Sequence, residues 1–147
     1  MWCPSAQSVR DDGQMESRHV SVWIQADPEA VYEFAADPKT WSKWAAGLAE
    51  GGLRQTADGW VADSPMGTVT VEFAPPNEFG VLDHVVRLPS GEAVYNPLRV
   101  IPGGVAEPRC EVLFSVRRRA GMTSAEFDAD AAAVAADLEA LRRLLED

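Results

Sequence analysis

Lysine is nearly missing from this sequence, where Lys39 and Lys43 stand alone. Cations are scarce altogether: 13 Lys and Arg face 23 Asp and Glu, for a formal net charge of −10. That balance excludes a nucleic-acid partner and an anionic membrane surface, since both need clustered cations. The one basic run, Arg117-Arg118-Arg119, reads as a solvated strand end. Cysteine is as sparse. Cys3 and Cys110 make no disulfide framework, and with only His19 and His84 beside them there is no metal-ligand spacing. No apolar run approaches the roughly 20 residues of a membrane span. The N-terminus lacks the charged and apolar regions of a signal peptide. A soluble, cytoplasmic protein without membrane insertion is the expectation. No G-x-G-x-x-G, G-x-x-x-x-G-K-[ST] or G-x-S-x-G occurs, so nucleotide sites and a nucleophile elbow have no support and no cofactor is expected. The close carboxylates Asp11 with Asp12 and Asp128 with Asp130 read as solvated charge.

What is present is apolar and periodic. Hydrophobic residues make up 46% of 147, enough for one domain with a core. Residues 1–17 are polar and patternless and read as a disordered leader, with Met15 a possible true start in place of Met1. Residues 18–147 read as a single domain. Its most regular stretch runs from Thr123 to Asp147, a helix roughly 35 Å long. Phe127, Ala131, Val134, Leu138, Leu141 and Leu145 fall on one face at spacings of three and four. Thr123 and Glu126 fit a capping box. Ala129, Ala132, Ala133, Ala136 and Ala140 fall largely opposite. The stripe is thin where Ala131 and Val134 stand, which either leaves space or lets a sheet approach.

Before that helix the chain alternates. Val20, Val22 and Ile24 point one way from a first strand. Asp27-Pro28 starts a short helix, and Thr40 a second one carrying Trp41 and Trp44 and ending near Gly47. Six strands in hairpin connection follow, with turns at Ala57-Asp58-Gly59, Ser64-Pro65-Met66-Gly67, Pro75-Pro76-Asn77, Pro89-Ser90-Gly91 and Pro102-Gly103-Gly104. Pro97, inside the run from Glu92 to Ile101, calls for an edge or a bulge. The class is α+β, an antiparallel sheet of about seven strands against the long helix.

This order, with Asp27-Pro28-Glu29-Ala30-Val31-Tyr32 after the first strand and the Trp41/Trp44 pair, resembles the START-related lipid-transfer and polyketide cyclase superfamily (SRPBCC). The segments Phe79-Gly80-Val81-Leu82-Asp83-His84 and Ala120-Gly121-Met122-Thr123 look like its bacterial polyketide cyclase or dehydrase branch. The resemblance spans about Arg18 to Glu146. It implies the helix-grip fold: a sheet curled round the long C-terminal helix, with an apolar cavity between.

In that architecture His84 shares a face with Leu82, Val86 and Leu88 and points inward. It is either a packed histidine bonded to backbone or to Asn96, or a hydrogen-bonding group for a ligand. Asn96 shares a face with Val94 and Leu98 and reaches the cavity only if the register allows. Phe73, Phe114, Trp44 and Trp60 offer apolar lining, Ala131 and Val134 the helix side, and Met66 a gate or an ordinary turn. The leading expectation is a protein, monomer or homodimer, that holds a small hydrophobic or aromatic molecule. The alternatives are a cofactor-free cyclase or dehydrase using His84 for proton transfer, and a co-chaperone-like interaction module with Trp23 as outer contact.

Overall fold

The computed structural model describes residues 16–46, 51–65 and 67–146. The leader, Cys3, Met15, Gly47 and Met66 lie outside them, except that Glu16 and Ser17, expected in the leader, belong to the fold. Ser17 opens the first strand opposite Arg117, and Glu16 accepts the Arg118 N–H.

The elements in order are β1 (Ser17–Ile24), α1 (Pro28–Ala36), a 3-10 turn (Pro38–Thr40), α2 (Trp41–Trp44), β2 (Arg54–Thr56), β3 (Gly59–Ser64), β4 (Gly67–Phe73), β5 (His84–Arg87), β6 (Ala93–Asn96), β7 (Leu98–Pro102), β8 (Cys110–Arg117) and α3 (Ser124–Glu146). The class is α+β, with all strand pairs antiparallel. Asp27 caps α1, its carboxylate accepting from the Glu29 N–H, with Pro28 at the first turn where a missing N–H costs nothing. The capping box of α3 is closed: the Thr123 N–H donates to Glu126 Oε1 at 2.8 Å and the Glu126 N–H to Thr123 Oγ1 at 3.1 Å. Among the described residues no helix is long and apolar enough to cross a membrane.

Among the described residues eight strands form where about seven were expected, because Pro97 divides the long run. It has no N–H for a ladder, and the chain changes sheets there. One sheet has the order β2-β3-β4-β5-β6, the other β1-β8-β7. β6 is thus an edge strand ending at Asn96, and β7 starts afresh at Leu98 against Phe114 of β8. The run from Val81 to Leu88 is also shorter than its alternation suggests. Val81 makes only an isolated bridge to Arg99. Gly80, at φ +73, passes so near β7 that a Cβ would lie 2.2 Å from the Val100 carbonyl oxygen, so only glycine fits.

The seam between the sheets is held by Asp83, which alternation places on the solvent side but which is buried. Its carboxylate accepts from the Leu98 N–H at 2.9 Å, from Arg99 Nε and Nη2 at 2.9 and 2.8 Å, and from the Tyr95 hydroxyl at 2.6 Å. Four donors from β6 and β7 converge on one side chain just before β5.

α3 fills the concave side. Phe127, Leu138 and Leu141 are fully buried, while Val134 and Ala131 between them are half-buried. The Arg18 guanidinium of β1 lies over the Phe127 ring at 4.5 Å. The core proper joins Ile24, Val31, Trp41, Leu98, Val112 and Leu141. A satellite cluster of Ala62, Val69, Val71 and Val86 sits at the five-stranded end.

Candidate functional site

Between the sheets and α3 lies a cavity of about 190 Å³. Its floor comes from β5, β6 and β8 through His84, Val86, Asn96 and Phe114. Trp41, Trp44 and Ala45 close one end, and Val134 and Leu138 close the helix side. The mouth is polar, formed by Arg117 at the end of β8, by Arg119 just beyond it, and by Asp130 and Asp137 of α3.

His84 is buried among rings. The Trp41 centroid lies 5.0 Å away, edge-on, with Phe114 at 6.0 Å and Phe73 at 6.3 Å. Nδ1 lies 3.1 Å from the Leu82 carbonyl oxygen. A carbonyl only accepts, so Nδ1 carries the proton. Burial lowers the ring's pKa to about 4, against the raising effects of that hydrogen bond and of the Asp83 charge. At neutral pH the imidazole is therefore uncharged, with a bare lone pair on Nε2. An NMR titration will show the His84 ring resonances flat from pH 8 to about 5. A midpoint near the ordinary value of about 6.5 would mean that water reaches the ring freely.

Asn96 faces His84 directly across the β5–β6 ladder, so the register that the Ser90-Gly91 turn left open puts the amide on the cavity side. Phe114, Trp44 and Val134 also line the cavity. Three expected residues do not. Trp60 lies on the same sheet face, in the row Trp60–Val71–Val86–Val94, but two strands from β5 and hence roughly 10 Å away. Phe73, opposite His84, stacks edge-on against Trp41 at 5.2 Å and supports both rings from behind. Ala131 is displaced by helix phase: the cavity meets α3 along Asp130, Ala133, Val134 and Asp137, a face turned from the stripe as read. Ala133, assigned to the far side, is the small residue at the mouth, and Ala140, assigned there too, packs on the core.

Sequence reasoning missed the mouth. Arg117 and Arg119 have the i, i+2 spacing of a strand and look the same way, whereas Arg118 turns aside to Glu16 and to the Met122 carbonyl. Asp130 is exposed, in keeping with its reading as solvated charge, yet partial desolvation and the nearby Glu126 push its carboxyl up, with Arg119 opposing. The Trp41 Nε1–H donates to the Ala35 carbonyl at 2.9 Å, while the buried Trp44 Nε1–H makes no hydrogen bond among the described residues. Cys110 is buried, and desolvation pushes its thiol up to about 11, so it is no nucleophile. Among the described residues no group of three His, Cys, Asp or Glu could hold a metal ion.

No protein-family model and no curated protein matches the sequence. Solved structures do match in fold. The protein XoxI from Bacillus cereus shares 15% identity at a TM-score of 0.70, over 90% of this chain and 97% of its own. The Zhui aromatase/cyclase from Streptomyces sp. R1128 shares 17% at 0.63, over 89% and 94%. A START superfamily protein from Mycobacterium smegmatis shares 12% at 0.60, over 88% and 97%. The fold is that of START and aromatase/cyclase structures, the helix-grip fold.

Proposed function

We propose that this protein binds a small hydrophobic or aromatic molecule in the cavity between the sheets and α3. The observation that carries the reading is the cavity itself, mostly apolar in its depth, with His84 and Asn96 as polar groups on one wall. Burying an apolar surface there gains roughly 25 cal/mol per Å². A volume of about 190 Å³ is a little larger than the ~150 Å³ of an engineered cavity that admits benzene, so one ring or two fused rings suit it. The aromatase/cyclase among the structural neighbours makes proton-transfer chemistry the natural competitor. The geometry favours binding over turnover. A base whose conjugate acid has a pKa of about 4 is weak at neutral pH. The adjacent Asp83 is committed to Arg99, Tyr95 and Leu98 and offers His84 no relay.

Val134→Trp tests the reading. Val134 is half-buried on the cavity wall, and an indole there occupies the space. The variant is expected to keep its circular dichroism spectrum and melting transition while losing saturable binding of an environment-sensitive apolar dye. A variant that binds the dye as the parent does would mean that the dye sits elsewhere, and the cavity reading would fall.

A further inference from the structure

We infer that the molecule held in this cavity is a hydroxylated aromatic, with its hydroxyl donating to Nε2 of His84 and accepting from the side-chain amide of Asn96. The inference rests on the cavity being the binding site and concerns what the site selects.

The argument starts from proton count. A neutral imidazole has one N–H, and that of His84 is committed at Nδ1 to the Leu82 carbonyl. Nε2 is left as an acceptor, and no hydrogen bond among the described residues engages it. A guest that meets it must donate. Ketones, ethers and carboxylates only accept, so they leave Nε2 unpaired even where the Asn96 amide or the Trp44 Nε1–H donates to them. Leaving a buried polar atom unpaired is costly, so such guests are discriminated against and not merely left unrewarded.

Asn96 adds the second condition. It is paired with His84 in register and shares the cavity face, which puts the two Cβ atoms roughly 4.5–5.5 Å apart. Its amide makes no hydrogen bond among the described residues. The amide offers two donors and one acceptor. One ligand group placed between His84 and Asn96 therefore meets an acceptor on one side and donors on the other. A hydroxyl is the small neutral group that matches both. An indole-like N–H meets His84 but gives the Asn96 donors nothing.

The rest of the guest follows from the walls. Trp41 and Phe114 stand within 6.0 Å of the His84 ring, centre to centre, so the surroundings of the hydroxyl are aromatic faces and edges. The hydroxyl enters first, toward the buried His84, and the ring body fills the apolar space toward Val134 and Leu138.

The test is calorimetric titration of the whole protein at pH 7 with three probes of similar size: 2-naphthol, 2-methoxynaphthalene and 2-methylnaphthalene. The naphthol is expected to bind roughly ten- to a hundred-fold tighter than the methyl compound, the yield of two net hydrogen bonds. The methoxy compound, which accepts but cannot donate, is expected to bind no better than the methyl one. Asn96→Leu and His84→Phe are each expected to shrink the naphthol-to-methyl ratio several-fold, and the double variant to bring it near one. Equal affinities for naphthol and methylnaphthalene would overturn the inference while leaving the cavity reading standing. So would a methoxy compound as tight as the naphthol. Failure of all three probes to bind would overturn both.

Discussion

Replacing Asp83 with alanine is expected to destabilise the protein by about 3–5 kcal/mol, the cost of breaking a buried ion pair from one side. Arg99 is 46% exposed and regains water, which pulls the figure toward the lower end. The Leu98 N–H has no such recourse, because Leu98 is 1% exposed and the Asp83 oxygen that accepts from it is gone. Thermal unfolding should show a drop of roughly 10–15 °C. A loss below about 1 kcal/mol would mean that the seam between the sheets is held by packing alone. Acid titration separates this group from His84. The Arg99 hydrogen bonds hold the Asp83 carboxyl well below the usual carboxylate range, helped by Tyr95 and Leu98 and opposed by burial. A depressed carboxyl stabilises the fold at pH values above its unfolded pKa, about 3.9, and loses that contribution as pH falls further. His84, also depressed, is fully compatible with the fold above about pH 6.5, and stability declines as pH falls from there toward 4. Acid denaturation should thus have an upper branch that belongs to His84 and a lower one that belongs to Asp83. Asp83→Asn should flatten the lower branch and, by removing the charge that holds the His84 pKa up, carry the upper one somewhat further toward acid.

Leu138→Ala is expected to cost about 2–5 kcal/mol, against about 0.5 or less for Ala136→Ser. Leu138 is 1% exposed and touches both core and cavity, while Ala136 faces solvent. The position of Leu138 adds a second expectation. Truncation enlarges a cavity that already exists, so an apolar guest can occupy the vacated volume. Saturating 2-methylnaphthalene should restore part of the lost stability, by about 2.7 kcal/mol at a hundred times its Kd. Denaturant melts with and without the compound measure both effects. Equal costs for the two substitutions would show that the buried face of α3 is misassigned.

These outcomes draw on residues of unequal legibility. The helix with its capping box, the alternation of β1 and the inward side of His84 follow from spacing alone, because a period of 3.6 or 2 fixes a face wherever one side is buried. Asp83 does not follow from it. Alternation sends it outward correctly, and it is buried because Tyr95 and Arg99 reach over it from strands whose register a one-dimensional pattern does not carry. The sheet change at Pro97 belongs with this. Proline announces that a ladder stops there, but not that a different ladder begins one residue later. Ala131 and Ala133 show the limit of helix phase: positions two apart differ by about 200°, so a small rotation of the helix decides which alanine meets the space. Trp60 failed for distance and not for direction, since a face can be read from alternation while the width of a sheet cannot.

The pairing of β1 with β8 has a consequence for synthesis on the ribosome. The partner of the first strand is the last, Ser17 opposite Arg117 and Ile24 opposite Cys110, and α3 packs on β1 as well. The five-stranded sheet is assembled from consecutive neighbours and can form as the chain emerges. β1 cannot. It waits, with Val20, Val22 and Ile24 uncovered, until β8 and α3 have been made, because non-local pairing has to follow the closure of the whole intervening loop. Translation pauses between the end of β1 and the completion of α3 therefore lengthen the time for which an aggregation-prone strand is available to other chains.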